Sequence, residues 1–389
     1  MNVTITPGRL AGTITPPPSK SQAHRALIAA CLARGVDQVE NLADSKDIQA
    51  TRRCMEALVA SSENQILLDC GESGSTLRFL IPVALALRGG GRFTGQGRLM
   101  ERPQTPYFDL FDEKGIFYDQ KDGVLTVKGV LTPGRYALPG NVSSQFVTGL
   151  LYALPLLEGD SEIVLTTELE SRGYVDMTLD VLKKFGLQIP ETANGFAVPG
   201  GQRYRPHPVT VEADWSQAGF WYAARALGNP VDVTGLDPNS AQGDRVIGDH
   251  FIQLSQPGDV EIDVSGCPDL VPPLAIMAAL RQGTTRLVNA ARLRIKESDR
   301  LAAVTEELNK LGAQVEEHPD SLTVSGVDGL RGGTADAHND HRIAMMLAIA
   351  ATRADGPVTI TGAESVRKSY PNFWEDYQAL GGMLQVSDL

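Results

Sequence analysis

Apolar residues recur along the chain in two rhythms that alternate, one of about 3.6 residues and one of two. Both are clearest from Asp299 to Gly326. There Leu301, Val304, Leu308 and Leu311 mark one helical face, Gly312 punctuates the helix end, and Gln314-Val315-Glu316 and Leu322-Thr323-Val324 alternate like paired strands. The same order returns at Tyr107–Gly129, where Leu125-Thr126-Val127-Lys128-Gly129 echoes Leu322-Thr323-Val324-Ser325-Gly326, and again at Asp176–Gly200. It is fainter at Asp47–Cys70 and Asp244–Val264, and Trp374–Val386 reads as a final, truncated copy. Between the copies lies a second kind of helix, rich in small residues, with starts near Ser21, Ser75, Ser144, Ser216, Asp269 and His341. The interval is too long for the usual solenoid repeats and suits a βαβαββ unit. Six such units in 389 residues predict an α/β chain of two domains with three units each.

Composition narrows the class. A chain with 42% hydrophobic and 21% charged residues is expected to be soluble and globular, and its longest apolar stretches, Phe79–Leu87 and Ile343–Ala351, fall far short of a membrane span. The start, Met1-Asn2-Val3-Thr4, has neither the basic nor the apolar region of a secretory signal. Cys31, Cys54, Cys70 and Cys267 lie far apart in apolar settings, the pattern of reduced thiols in a cytosolic protein, and the histidines suggest no metal cluster. A net charge of −12 argues against nucleic acid or an anionic membrane as a partner. Against that acidity, short segments that set Lys and Arg beside Gly and Ser need a separate explanation.

Most of these segments open or precede a small-residue helix. Helix N-termini carry unpaired N–H groups and roughly half a positive charge, so they attract anions. Pro16-Pro17-Pro18-Ser19-Lys20-Ser21-Gln22-Ala23-His24-Arg25 offers Lys20 and Arg25 to oxyanions, or is a capped surface helix with solvated charges. Gly71-Glu72-Ser73-Gly74-Ser75-Thr76-Leu77-Arg78 lets a ligand approach the backbone but lacks the ending of a nucleotide P-loop. Ser143-Ser144-Gln145 and Ser171-Arg172-Gly173-Tyr174 supply neutral donors or simple caps. Lys296-Glu297-Ser298-Asp299-Arg300 lies between an apolar strand (Thr285–Val288) and an amphipathic helix, and Asp340-His341-Arg342 opens the apolar run Ile343–Ala351; each is a solvated turn or a set of charges facing a cleft. Asp269 heads another apolar helix, as an N-cap or as a base among cations.

Taken in order, from Lys20-Ser21 with Arg25 through the Gly74 loop with Arg78, Glu101-Arg102-Pro103, Ser143-Ser144-Gln145, Lys296 to Arg300, Asp340-His341-Arg342 and Lys368, these segments resemble the EPSP synthase family. The resemblance implies a two-domain inside-out α/β barrel of six βαβαββ units, three per domain. The domains would be 1–16 plus 214–389 and 17–213, with the active site in the cleft between them. It implies that shikimate 3-phosphate meets Lys20, Ser21, Arg25, Ser143, Ser144, Gln145, Ser171, Tyr174, Asp269 and Lys296. Phosphoenolpyruvate would meet Lys20, Gly74, Arg102, Gln145, Arg300, Arg342 and Lys368. Asp269 would act as base, and Glu297 or Lys20 as the acid at C3 of phosphoenolpyruvate. No cofactor or metal is implied, because cations supply the electrostatic role. The two substrates would be the only partners of a cytoplasmic monomer. Glyphosate would compete at the phosphoenolpyruvate subsite, which Gly74 leaves open by lacking a Cβ. Glu72 and Arg292 stand where many members have Asn, and no contact is assigned to them. Two rivals share part of this pattern: an enolpyruvyl transferase acting on UDP-N-acetylglucosamine, and an inactive binder of anionic metabolites. The first shows Lys-Asn in place of Lys20-Ser21 and carries a loop cysteine that the segment around Gly95–Arg102 lacks.

Overall fold

A computed structural model describes residues 1–35 and 38–388. The chain forms two compact units, a continuous one (Lys20–Glu212) and a discontinuous one (Met1–Ser19 with Ala213–Leu389). The proline run stays with the discontinuous unit because the Asp214 amide donates to the Pro17 carbonyl at 2.8 Å and Pro18 bridges Ala213. Each unit has its own apolar core.

The continuous unit contains α1 (Lys20–Leu32), α2 (Lys46–Ala60), α3 (Gly74–Arg88), α4 (Thr105–Lys114), α5 (Ser144–Ala153) and α6 (Arg172–Lys184). α3, α5 and the later turns of α1 are small or aliphatic nearly all round, and in the first turns of α1 the polar Gln22, His24 and Arg25 are buried with them, so all three helices are buried along most of their length. α2 and α6 are amphipathic, with buried rows such as Ile48, Thr51, Met55 and Leu58 and polar rows between them. Two four-stranded sheets share one plan. Leu67–Asp69 pairs in parallel with Gly90–Thr94, which pairs antiparallel with Val124–Lys128, itself the antiparallel partner of Phe117–Lys121. Arg135–Leu138, Ser161–Leu165, Gly195–Val198 and Glu191–Thr192 repeat it. Alternation along these strands turns one face to the helices and leaves the other to solvent.

The discontinuous unit follows the same plan with α7 (Trp215–Ala226), α8 (Ile247–Leu254), α9 (Val271–Ala279), α10 (Arg300–Lys310), α11 (His341–Ala351) and α12 (Phe373–Ala379). Every residue of α9 and α11 is buried. One sheet runs Val260–Asp263, Thr284–Val288, Leu322–Ser325, Gln314–Glu317. The other runs Gly333–Asp336, Val358–Thr361, Asn2–Thr6, Met383–Ser387.

That last sheet corrects the reading of Trp374–Val386 as truncated. The copy is complete, but its third strand is Asn2–Thr6, with Val3 opposite Ile360 on one side and Val386 on the other. Periodicity within a window cannot see a partner from the other end of the chain. The faint copies at Asp47–Cys70 and Asp244–Val264 are corrected too. α2 and α8 are each followed by a single strand that belongs to the next sheet, and no hairpin forms there. These two units are reduced to parallel pairs, Val39–Glu40 with Val209–Thr210 and Gly12–Ile14 with Val231–Val233. Four full units and two reduced ones therefore make up the six. Among the described residues no helix is long and apolar enough to cross a membrane.

Candidate active site

The singled-out residues divide between the units. Lys20, Ser21, Arg25, Gly74, Arg102, Ser143, Ser144, Gln145, Ser171 and Tyr174 belong to the continuous unit, and Asp269, Lys296, Glu297, Arg300, Arg342 and Lys368 to the discontinuous one.

In the continuous unit the first turns of the buried helices are tied side to side. Gln145 at the start of α5 donates from Nε2 to Ser75 Oγ at the start of α3 (3.0 Å) and accepts at Oε1 from Arg78 Nη1 (3.0 Å). Arg78 Nη2 donates to the Pro103 carbonyl (3.0 Å), so one guanidinium holds α3, α5 and the loop carrying Arg102. Arg78 belongs to the Gly74 segment, and its role is invisible in the sequence because its partners come from remote segments. Ser73 caps α3 and Ser143 caps α5, accepting from the Thr76 and Gln145 amides. Ser171 stands at the N-cap position of α6 in the left-handed region (φ 54°), a conformation that costs a non-glycine residue energy and recurs at functional sites.

Lys20 opens α1 and pairs with Asp47 of α2 at 3.0 Å. Arg25, one and a half turns on, is 2% exposed. Its Nε donates to Thr178 Oγ1 (2.8 Å) and its Nη1 to the Ser21 carbonyl (2.7 Å), while its guanidinium carbon lies 5.1 Å from the Phe79 ring centre and 5.8 Å from that of Tyr174. Burial lowers its pKa, and among the described residues no carboxylate lies within ion-pair distance of it. Arg102, 8% exposed, likewise has no ion pair among the described residues. Its guanidinium lies against Gly74, where a Cβ would come within 2.4 Å of Nη1.

The discontinuous unit is arranged oppositely: its cations surround acids. Asp269 sits in the short turn Pro268–Leu270 before α9 rather than capping it, and its carboxylate meets Arg300 (2.8 Å), Lys296 (3.5 Å) and Arg342 (3.6 Å). Arg300, the first residue of α10 and 1% exposed, also pairs with Glu297 and Asp340, both at 2.8 Å. Burial opposes its charge, but Asp340, Glu297 and Asp269 outweigh that and hold its pKa above the ordinary value. Asp340 caps α11 and accepts from Ser298 (2.8 Å), a hub that the triplet Asp340-His341-Arg342 signalled without revealing which member would matter. Lys296 is pushed down to about 8 by burial, with Asp269 pulling the other way. Lys368 Nζ donates to the Asn339 carbonyl. Arg292 Nη2 donates to the Ser265 carbonyl at 2.5 Å.

Two features had no sequence signal. Asp244, buried beneath Ser216, which donates to it, is raised to about 7 by burial and then by the charge of Asp269, with Ser216 and Arg342 opposing. Glu306, Glu307 and His338 bring one ligand-type atom each within 4.8 Å of one another. The Lys310 ammonium already bonds both glutamates there, at 2.9 and 2.8 Å.

A profile of the family described as EPSP synthase (3-phosphoshikimate 1-carboxyvinyltransferase) matches residues 5–65 and 58–377. The chain belongs to the EPSP synthase family. It is 46% identical over 414 residues to a 3-phosphoshikimate 1-carboxyvinyltransferase of Clostridium kluyveri, covering 98% of this chain and 97% of that one. The enzyme of the same name from Clostridium acetobutylicum is 47% identical over 416 residues, with the same coverage. In fold the chain is similar to the EPSP synthase of Acinetobacter baumannii (TM-score 0.79, 23% identity, all of both chains). It is also similar to the enolpyruvyl transferase NikO of Streptomyces tendae (TM-score 0.78, 18% identity, 99% of this chain and 98% of the other).

Proposed function

We propose that this chain transfers the carboxyvinyl group of phosphoenolpyruvate to the 5-hydroxyl of shikimate 3-phosphate, releasing phosphate, in the biosynthesis of aromatic amino acids. The observation that carries the reading is the pair of buried guanidinium groups, Arg25 and Arg102, with no carboxylate partner among the described residues. A buried charge left uncompensated is costly, so a fold retains one where a ligand supplies the opposite charge. Two such groups beside helix N-termini suit a pair of anionic substrates.

In this reading Lys20, Ser21, Arg25, Ser143, Ser144, Gln145, Ser171, Tyr174, Asp269 and Lys296 hold shikimate 3-phosphate. Lys20, Gly74, Arg102, Gln145, Arg300, Arg342 and Lys368 hold phosphoenolpyruvate. The 5-oxygen bonds to C2 while Asp269 takes its proton, and C3 gains a proton from Lys20 or Glu297. The tetrahedral adduct then breaks its C2–O bond to phosphate as C3 returns a proton, which regenerates the double bond. Each acidic partner that now faces a cation (Asp47 for Lys20, Asp269 for Arg342 and Lys296) must share it with substrate. The enzyme works as a cytoplasmic monomer.

Phosphate release by the purified protein tests the reading. It is expected only with both substrates present and to persist with a metal chelator. Turnover of UDP-N-acetylglucosamine in place of shikimate 3-phosphate would overturn it.

A further inference from the structure

His24 is buried (1% exposed), titratable and unused by the reaction above. It begins a chain of side-chain hydrogen bonds across three helices. His24 Nδ1 on α1 lies 2.7 Å from Thr51 Oγ1 on α2, and Thr51 Oγ1 lies 2.6 Å from Thr76 Oγ1 on α3. Thr76 Oγ1 donates to Ser73 Oγ at 2.7 Å, the same oxygen that accepts the Thr76 amide and caps α3 one residue before Gly74. Directions follow from counting protons. With the Thr76 proton given to Ser73, Thr51 must donate to Thr76, and its oxygen then accepts from His24 Nδ1–H. That leaves Nε2 as the bare nitrogen, in keeping with its having no hydrogen-bond partner among the described residues. A charged His24 would bury an unsatisfied Nε2–H. Burial, followed by the charges of Lys20 and Arg25, holds the ring neutral.

The chain joins the parts that matter for binding. α1 carries Lys20 and His24 four residues apart, and α2 carries Asp47 and Thr51 at the same spacing, so the Lys20–Asp47 pair and the His24–Thr51 bond are successive rungs on adjoining faces. The neighbouring Arg25 is braced on α3 by the ring of Phe79, which the His24 ring meets edge-on. We infer that His24 is a positioning residue which, through Thr51 and Thr76, fixes the helix bearing Lys20 and Arg25 against the capped turn bearing Gly74, so that both substrate subsites of this unit depend on one relay. The inference rests on the functional reading above.

Thr51 offers the cleanest test, since it sits mid-relay and touches neither substrate in that reading. Thr51→Val keeps the volume and removes the hydroxyl. It should raise KM for both substrates about fivefold while kcat changes less than about twofold, and Thr51→Ser should restore both KM values. Thr51→Ala, too small to clash, gives the same readout should the valine variant fail to fold. A lowered melting temperature with both KM values unchanged would overturn the inference and leave a purely structural relay, as would a rise in one KM alone. A wild type without two-substrate phosphate release would sink the functional reading itself, and this inference with it.

Discussion

The Cα of Gly74 faces the guanidinium of Arg102 so closely that a methyl group there would lie 2.4 Å from Nη1, 2.8 Å from Cζ and 2.9 Å from Nη2. The obstacle is the far end of a flexible side chain, so the fold can accept a methyl if Arg102 moves. Gly74→Ala should therefore fold normally, with a melting temperature within about 2 °C of wild type, and raise KM for phosphoenolpyruvate about tenfold. The family resemblance implies that a methyl here raises the inhibition constant for glyphosate much more than KM. With Arg102 in its path, both the inhibition constant and KM should rise, and steady-state kinetics with and without glyphosate measure both. An unchanged KM would mean that Arg102 does not hold phosphoenolpyruvate where it lies here.

Asp269→Asn separates chemistry from binding. Arg300 keeps Glu297 and Asp340 at 2.8 Å, so its position survives the loss of one charge. Turnover should fall about a hundredfold, with both KM values within about threefold. Near-normal turnover would remove Asp269 from the role of base.

Lys296 gives a pH signature. Burial brings its pKa to about 8, so the free enzyme loses this cation as pH rises through that value. The ratio kcat/KM for shikimate 3-phosphate should decline on the alkaline side with an apparent pKa near 8, and Lys296→Arg should move that limb upward. A profile flat to pH 9.5 would contradict the assignment.

Asp244 gives a signature in stability. Its folded pKa, about 7, lies above the ordinary carboxyl value, so between pH 4 and 7 the native state binds a proton that the unfolded state has released. Its contribution to stability is full below pH 4 and is lost as pH rises through 7. Asp244→Asn, which cannot ionise, should gain stability relative to wild type between pH 5 and 8, and chemical denaturation at both pH values measures the difference. An equal effect at both would show that Asp244 is ionised throughout.

How far the sequence could be read depended on the range of each interaction. The starts of α3, α5 and α11 stood out because a capping residue, a glycine or a charge precedes a run of apolar residues, all within one window. The hairpins at Phe117–Lys121 with Val124–Lys128 and Gln314–Glu317 with Leu322–Ser325 were legible for the same reason. The strand Asn2–Thr6 and the pair Val39–Glu40 with Val209–Thr210 were not, because their partners are remote. In the site, residue types announced cations and anions but not who faces whom. Nothing in the sequence distinguishes Lys20, which has an acid beside it, from Arg25, which has none among the described residues, and Asp47 and Thr51 read as ordinary helix surface until α1 packs on them.

The place of Asn2–Thr6 between Val358–Thr361 and Met383–Ser387 imposes an order on biogenesis. The strand is made before Lys20–Glu212, and both of its neighbours only after that unit. Lys20–Glu212 can fold during synthesis, while the opening strand waits with Val3 and Ile5, both fully buried in the finished protein, uncovered. That sheet can close only once Met383–Ser387 has been made, so Asn2–Thr6 pairs later than many strands that follow it in the chain.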